Sequence, residues 1–381
     1  MTALQTLSKI NADLSTTQSR ISTGMKVAKA SDNAAYWSIA TGMRSDSSAL
    51  STVQEALGLG AAKVDTAYAG MDAAIEVVKE IKNKLITAQE PSADRAKIQA
   101  DITQLQLQLR GIAESASFSG ENWLQADLSG GAVTKSVVSS FTRDAAGNVA
   151  VQTIDYDLDT GTVLFDTTGN TAILDSTTNV EGASVTLNIN VAGVVSAYTV
   201  AAFTTDDVIA AGAGASTFDG DYANDGTLDY VKVAPDTWVA AVDQTTVPDQ
   251  EVQFEDSTTA LWAVDTSASP TNITASVDQL SISTATTFAQ LDGMLQMVDD
   301  ALSSLTGAAS SLGSITSSIE MQSDFITKLT DSLDRGVGRL VDADMEEESA
   351  RLSALQVQQQ LGIQALSIAN SSAQGILSLF R

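Results

Sequence analysis

The 381-residue sequence contains no cysteine and no histidine. The chain therefore has no thiol nucleophile, no Ser-His-Asp triad, no imidazole general base and no Cys/His zinc site. A cysteine-free chain is equally stable in reducing and oxidising surroundings, so the redox compartment stays open. No convergent set of acid and base groups is visible in the remaining residues, and we predict no enzyme activity and no catalytic, cofactor-binding or metal-binding residues.

Basic residues are scarce, and long apolar runs are absent. Twenty Lys and Arg stand against 47 Asp and Glu, which gives a formal net charge of −27. An anionic surface of this size repels nucleic acid and anionic lipid, so neither is expected as a partner. No apolar stretch reaches the ~20 residues that cross a bilayer, and the N-terminus lacks the pattern of a Sec-type signal. Export, if it occurs, is expected to use a route without such a signal.

Proline is rare and is missing from both ends of the chain. The prolines are Pro91, Pro235, Pro248 and Pro270. Both ends carry apolar residues at alternating steps of three and four, the spacing of a coiled-coil seam. Such seams run from Val53 to Leu85, from Ile98 to Ile112 and from Phe288 to Leu340. A long helix inside a globular bundle is the alternative, but globular helices average only ~11–12 residues, which favours a rod of antiparallel helices.

Shorter seams occupy the two terminal arms, residues 1–30 and 346–381. The large apolar residues at heptad spacing are Leu4, Leu7, Leu14, Ile21, Leu352, Leu355, Leu366, Ile376 and Phe380. Polar residues such as Asn11, Gln18 and Gln359 interrupt both seams, so each helix alone would be marginal in water. We predict that the two arms order by packing together or against neighbouring subunits, and that these apolar residues form a polymerisation interface.

The composition changes between about residues 131 and 283. Thr, Val, Asp and Gly dominate there, and polar and apolar residues alternate, as in "SVTLNINV" (Ser184–Val191). The stretch from Lys135 to Leu158 is typical of a β-hairpin around an "AAGN" turn. This segment holds 21 acidic and 3 basic residues, which favours a solvated outer face over an acidic binding site. The predicted fold class is α+β, a long antiparallel helical rod with coiled-coil terminal arms plus a β-rich inserted outer domain.

Two Asp-rich stretches have some features of calcium-binding loops. "DYDLDTGT" (Asp155–Thr162) places Asp at alternate positions, but Thr160 stands where such a loop needs glycine. "DGDYANDGTLDY" (Asp219–Tyr230) has Ala223 at a ligand position. We interpret the first as a hairpin with a "DTG" turn and the second as an acidic surface turn.

Long collinear motifs lie at both termini. The N-terminal motif reads "RISTG…ASDNAAYWSIA", and the C-terminal one includes "DAD" and the final "LSLFR". "FSGENWL" (Phe118–Leu124) lies where the predicted helical rod ends, and "SLGS" (Ser311–Ser314) lies on the opposite strand of the rod. Together these motifs resemble bacterial flagellins of the alphaproteobacterial, rhizobial type. The positions that carry the resemblance are Arg20, Ser31, Asp32, Asn33, Ala34, Ala35, Asp342, Asp344 and Asn370.

The resemblance implies a structural subunit that leaves the cell unfolded through the flagellar type III channel and polymerises into the extracellular flagellar filament for swimming motility. The implied partners are further copies of the chain, the filament cap, hook-junction proteins, an export chaperone on the C-terminal arm and flagellin paralogues. Family members usually have further residues before the equivalent of Met1, so either an upstream segment or a natively short arm is expected. The alternative is a secreted or surface-bound adhesin that reuses flagellin-like ends. An adhesin would act through residues 131–283 alone, whereas filament formation needs both arms.

Seams, composition and resemblance together predict the domain boundaries. The inserted domain corresponds to the variable, surface-exposed region of the family, and the helices on either side of it form the rod. The predicted domains are terminal arms at 1–30 and 346–381, a rod domain at 31–130 and 284–345, a β-hairpin at about 131–165 packed on the rod, and a variable β-rich domain at 166–283.

Overall fold

A computed structural model describes residues 2–144, 148–212 and 214–379, with side chains described from residue 4 to residue 368 within those ranges. The fold is α+β, with long helices toward both chain ends and a β-rich middle region. The residues group into two compact units. One unit comprises Met1–Leu57, Val138–Gln152 and Glu320–Arg381, and the other comprises Gly58–Val137 and Thr153–Ile319.

The helices follow the apolar periodicity of the sequence. They are α1 (Thr2–Thr23), α2 (Ala34–Ala88), α3 (Arg95–Ser115), α4 (Thr205–Ala211), α5 (Phe288–Val341) and α6 (Met345–Leu379). Helix α5 confirms the seam predicted from Phe288 to Leu340. Helix α2 begins well before the first predicted seam residue, Val53. The large apolar residues of its first turns, Tyr36, Trp37 and Ile39, are exposed rather than packed in a seam.

The middle region contains mostly short strands. They are β1 (Ser117–Phe118), β2 (Glu121–Asn122), β3 (Gln125–Ala126), β4 (Val133–Arg143), β5 (Val149–Leu158), β6 (Phe165–Asp166), β7 (Thr178–Val180), β8 (Ser184–Val191), β9 (Val194–Phe203), β10 (Thr217–Asp219), β11 (Tyr222–Asn224), β12 (Asp229–Ala234), β13 (Thr237–Asp243), β14 (Phe254–Glu255), β15 (Leu261–Val264) and β16 (Ile273–Ala275). Eight of them form an antiparallel sheet in the order β10-β11-β12-β13-β15-β14, with β9 paired to β13 and β8 paired to β9. Strand β8 coincides with the predicted "SVTLNINV" strand.

The predicted β4–β5 hairpin is confirmed, whereas the hairpin predicted around "DTG" is wrong. Strand β5 ends at Leu158, and a turn follows in which the Gly161 N–H donates to Asp159 Oδ1 at 2.8 Å. The chain after this turn does not fold back on β5, because β5 pairs with β4 and β6 pairs in parallel with β3. The stretch Asp219–Tyr230 supplies the turns between β10, β11 and β12, in agreement with its interpretation as an acidic surface turn.

Each unit has its own apolar interior. In the unit that contains the middle region, α2, α3 and α5 contribute the fully buried side chains Val64, Met71, Ile81, Leu85, Ile102, Leu109, Leu291, Val298 and Leu305. A separate cluster on the sheet consists of Ile189, Val200, Val231, Val239 and Val264. Burial of a Val, Leu or Ile side chain is worth ~1.5–3 kcal/mol, so these clusters supply the main stabilisation of the unit.

Two buried polar groups organise the loops of the same unit. Arg95 is 2% exposed, and its guanidinium donates to the carbonyl oxygens of Ala88 at 3.1 Å and Thr286 at 2.5 Å. Asp166 is also buried. Burial alone would raise its pKa, but the N–H groups of Thr168 and Leu128 and further donors hydrogen-bond its carboxylate and hold the pKa well below the ordinary value near 3.8.

The β-rich lobe between residues 181 and 272 begins and ends at one paired position. Strand β7 lies directly before it and pairs antiparallel with β16, which lies directly after it. Beside this pair, Gly182 approaches Thr271 so closely that a Cβ on Gly182 would lie 2.6 Å from the Thr271 carbonyl oxygen. The lobe also contributes a cap to α5, because Asp207 Oδ1 accepts the N–H of Phe288 at 2.5 Å. We call the β7–β16 pair the neck of the lobe.

None of the helices in the described ranges combines the length and apolar character that a membrane span requires. Likewise, the side chains described for this chain include no group of three or more Asp, Glu, His or Cys arranged to hold a metal ion. Asp155 and Asp157, which begin the first calcium-like stretch, lie exposed on β5, and Asp157 accepts the hydroxyl of Thr134 at 2.6 Å.

Candidate assembly interface

A short connection joins α1 to α2 and is tied to the junction between α5 and α6. Gly24 ends α1 with φ = +71°, a left-handed conformation that glycine adopts without strain. Its carbonyl oxygen accepts the N–H of Ala343 at 2.8 Å, and the N–H of Lys26 donates to the Val341 carbonyl oxygen at 2.7 Å. These hydrogen bonds hold the end of α1 beside the start of α6.

An apolar cluster packs beneath this connection. Its buried members are Val27, Ala40, Val337 and Val341, with Met25, Met43 and Leu340 partly buried around them. Gly336 lets α5 approach α2 closely here, because a Cβ at that position would lie 2.6 Å from Met43 Cε. We call α1 and α6 together the arm pair. A small apolar core therefore lies at the end of the arm pair that adjoins α2 and α5.

Further along the arms the contact between α1 and α6 is thinner and more polar. Gln359 Nε2 donates to Asn11 Oδ1 at 2.7 Å, so two of the polar residues predicted to interrupt the seams meet each other. Leu7 packs on Gly362, where an added Cβ would lie 3.1 Å from Leu7 Cδ1. A polar pair of this kind in a seam costs stability but can fix the register of two helices.

The predicted seam residues differ in how far the contact between α1 and α6 buries them. Leu355 is buried, and Leu4 is 64% exposed. The partly buried members are Leu7, Leu14, Ile21, Leu352 and Leu366. The side chain of Ile376 and the whole of Phe380 lie outside the described residues. The contact between α1 and α6 therefore buries the predicted seam residues only in part.

Arg20 forms an ion pair between the arms. Its Nη1 lies 2.9 Å from Oε1 of Glu348, and the two side chains are 34% and 8% exposed. The other carboxylate oxygen of Glu348 is buried and accepts no hydrogen bond. Sequence reasoning identified Arg20 from the motif but missed Glu348, which is one of three consecutive glutamates in the first turn of α6.

The remaining N-terminal motif residues shape the start of α2. Asp32 Oδ2 accepts the N–H groups of Ala28 and Lys29 at 3.0 and 3.1 Å, which closes a turn. Asn33 Oδ1 accepts the N–H of Tyr36 at 3.2 Å and so caps α2. The other predicted motif residues of this stretch, Ser31, Ala34 and Ala35, are exposed.

The C-terminal motif residues do the same for α6. Asp344 Oδ1 accepts the N–H groups of Glu346 and Glu347 at 3.0 and 3.2 Å, which makes Asp344 the cap of the helix. Asp342 forms an isolated antiparallel bridge with Met25 of the connection. The side chain of Asn370 lies outside the described residues. The motif residues therefore lie largely at helix ends. We call the α1–α2 connection and the α5–α6 junction, which are hydrogen-bonded to each other, the joint between the arms.

The arm pair leaves large apolar side chains exposed. Those described include Leu4 (64% exposed), Val357 (55%), Leu361 (59%), Ile363 (53%) and Ile368 (68%). We call Leu4, Val357, Leu361 and Ile363 the exposed arm set. Val357 and Leu361 lie four residues apart and share one face of α6. Heptad counting missed the three residues of this set on α6 because they lie off the seam. The sequence signal that could have identified them is that α6 carries apolar residues at off-seam positions as well as on the seam.

Both ends of the chain match known families. The bacterial flagellin N-terminal helical region matches residues 1–128, and the bacterial flagellin C-terminal helical region matches residues 295–380. The chain belongs to the bacterial flagellin family. This agrees with the resemblance of the terminal motifs and explains why the matched regions include the arms, the joint and the long helices.

Full-length relatives give the same result. Flagellin A of Rhizobium meliloti (strain 1021) is 62% identical over 390 residues, which cover 100% of this chain and 98% of the relative. Flagellin D of Rhizobium meliloti is 57% identical over 389 residues, with 100% and 97% covered. Flagellin C of strain 1021 is 45% identical over 383 residues, with 100% and 97% covered.

As a flagellin, the protein is a structural subunit that polymerises into the bacterial flagellar filament for motility, and it is not an enzyme. The family implies a position in the filament outside the cell. The alternative of an adhesin with flagellin-like ends is not favoured, because the similarity to flagellins extends through the β-rich region as well as the termini.

Proposed function

We propose that this flagellin polymerises through the exposed arm set, while the seam residues hold α1 against α6 within each subunit. The observation that carries the proposal is the exposure of Val357 and Leu361 on one face of α6. In this arrangement Leu7, Leu14, Ile21, Leu352, Leu355 and Leu366 act in assembly by forming the arm pair. Leu4 acts directly, and Ile376 and Phe380 stay predicted members of the interface.

The physical argument rests on apolar area. Full burial of a Leu or Val side chain is worth ~1.5–3 kcal/mol, so covering the exposed half of one contributes ~1 kcal/mol. Such a contribution is small for one pair of subunits, but the same contact repeats at every subunit of a filament. A contact between two different surfaces of identical subunits does not need to close into a ring and can generate an open helical polymer.

The domain boundaries and the finer partners follow from the same proposal. Residues 1–30 and 346–381 line the filament core, residues 31–130 and 284–345 form the rod domain that carries the hairpin at about 131–165, and residues 166–283 form the outermost domain. We propose an export chaperone that covers the apolar surface of α6 before export through the type III channel. Cap and hook-junction proteins contact the ends of the polymer, and flagellin paralogues enter it.

The test is seeded filament growth with single charge substitutions on α6. Leu361→Asp should abolish growth while the far-ultraviolet circular dichroism of the monomer stays unchanged, because the residue is already exposed in the monomer. Gln360→Asp is the matched control, since it places the same charge one residue away at a position that is polar and exposed. Leu366→Asp, on the seam, should stop growth and also lower the helicity of the arms. Normal filaments from Leu361→Asp would refute the proposed interface.

A further inference from the structure

The joint between the arms carries a groove lined by cationic side chains. The groove has a volume of about 250 Å³ and lies between the end of α1 and the connection that follows it. Arg20, Lys26 and Lys29 line it together with Ser19 and a single carboxylate, that of Asp32. We call it the joint groove. A concentration of positive charge is unusual in a chain whose net charge is −27.

The two lysines of the joint groove have no carboxylate partner among the described residues. Arg20 is paired with Glu348, and Asp32 uses its Oδ2 to accept the N–H groups of Ala28 and Lys29 and forms no ion pair with either lysine among the described residues. Lys26 Nζ donates to the Arg339 carbonyl oxygen at 2.9 Å, which leaves its charge unbalanced. Lys29 uses only its backbone groups in hydrogen bonds, and its ammonium group makes no ion pair within the described ranges. The groove therefore has two cations available for an outside anion.

The same chain presents a complementary surface on the first turn of α6. Glu346 and Glu347 are exposed, and neither carboxylate forms an ion pair with any residue whose side chain is described. Their backbone N–H groups are held by Asp344, so the turn that carries them is fixed. Glu348, the next residue, points inward to Arg20. Glu346 and Glu347 are thus free to meet a partner on the outside of the joint.

We propose that the joint groove of one subunit receives Glu346 and Glu347 of a second copy of the chain. This inference rests on the proposed function, because it requires a filament in which the arm pairs of neighbouring subunits touch. A helical polymer needs two different and mutually complementary surfaces on each subunit, and the groove and the acidic turn form such a pair. Opposite charges at this contact offset the repulsion between strongly anionic subunits and fix their register.

The experiment uses two full-length variants with reversed charge. Variant A is Lys26→Glu/Lys29→Glu, and variant B is Glu346→Lys/Glu347→Lys. Growth from wild-type seeds at low salt should fall at least roughly tenfold for each variant alone, because each brings like charges together at the contact. An equimolar mixture of A and B should recover growth to within about threefold of wild type. In the mixture each reversed groove meets a reversed acidic turn on the other subunit.

The mixture separates a contact between subunits from a role inside one subunit. If the lysines and glutamates acted only within the chain, A and B would both stay defective when mixed, and the inference would be overturned. Growth of A and B alone at the wild-type rate would also overturn it. The control Lys97→Glu/Lys328→Glu has the same net charge as A, alters two exposed lysines outside both the groove and the terminal arms, and should grow as wild type does.

Two readouts keep the outcomes distinct. Circular dichroism of the monomers shows whether A is folded; if its spectrum differs, Lys29→Glu alone replaces A, because the Lys29 side chain has no hydrogen bond to lose. The Leu361→Asp variant is run in parallel. Loss of growth in Leu361→Asp with normal growth of A and B would retain the proposed function and reject the groove. Normal growth of Leu361→Asp with complementation between A and B would retain the groove contact and reject the exposed arm set as the interface.

Discussion

Replacing Arg20 by alanine is expected to loosen the arm pair more than removing both members of the Arg20–Glu348 pair. The single substitution leaves the Glu348 carboxylate, whose side chain is 8% exposed, without its one side-chain donor, and its other oxygen already lacks a partner. The double substitution Arg20→Ala/Glu348→Leu removes the buried charge as well. Two substitutions usually cost more stability than one. Here we expect the opposite order, because the single substitution leaves a buried charge without its partner.

The magnitude follows from the exposure of the two side chains. Breaking a fully buried pair costs ~3–5 kcal/mol, and a hydrogen bond to a charged group is worth ~1.5–3 kcal/mol. Arg20 is 34% exposed, so water can reach the carboxylate once the guanidinium has gone, which lowers the cost to ~2 kcal/mol. An increase of ~2 kcal/mol corresponds to about a thirtyfold larger opening equilibrium of the arms. The double variant should lose ~1 kcal/mol or less.

Amide hydrogen exchange read by mass spectrometry measures this opening locally. Peptides from α1 and from the first turns of α6 should exchange about thirtyfold faster in Arg20→Ala, and only a few times faster in the double variant. Peptides from α3 serve as the internal reference, because α3 lies in the other unit. Equal exchange in the single and double variants would refute the reasoning, since it would mean that the Glu348 carboxylate tolerates the loss of its partner.

Two further predictions concern the unit that contains the β-rich region. Gly70→Ala should lower stability by ~1–3 kcal/mol in urea unfolding, because the new Cβ would lie 2.6 Å from Leu124 Cδ1 and 2.8 Å from the Cβ of Ala116. Gly58→Ala in the same helix meets nothing within 4 Å and should be neutral or stabilising by up to ~1 kcal/mol, so equal effects would contradict the close packing. The lowered pKa of Asp166 predicts stability that is fully present above pH 3.8 and is lost as the pH falls through the lower folded-state pKa. Asp166→Asn should therefore show a smaller drop in thermal midpoint between pH 6 and pH 2 than the wild type, and an identical drop would contradict the assignment.

The sequence predicted the helices well where apolar spacing was continuous. The seam from Phe288 to Leu340 defines α5 almost to the residue, since a slip-free three–four alternation over that length fits only a helix. The predicted seam begins only at Val53, whereas α2 begins at Ala34, where Asn33 caps the helix. Strand β8 was visible from alternation, but the partners of β5 and β6 depend on contacts far along the chain.

The candidate site was predicted in part. Periodicity identified which residues of the arms share a face, and the motif identified Arg20 and the helix caps. Periodicity does not state what covers a face, so the division between seam residues such as Leu355 and exposed residues such as Leu361 required the structure. Arg95 is a further example, since the polar residues before α3 give no sign of a buried charge, whereas the carbonyl groups of two separate chain segments hold its side chain in the interior.

The neck has a consequence for how this chain can change over evolutionary time. Because β7 and β16 are hydrogen-bonded neighbours, the lobe leaves and rejoins the rest of the unit at points only ~5 Å apart. A module with adjacent ends can be lengthened, shortened or exchanged without separating the segments to which it is attached. Such an exchange would need to replace two hydrogen bonds to α5, the Asp207 cap on Phe288 and the one from Gln290 Nε2 to the Thr271 carbonyl oxygen at 2.8 Å. The lobe can thus diversify as an interchangeable cassette while the arms and their joint stay under the constraint of fitting copies of themselves.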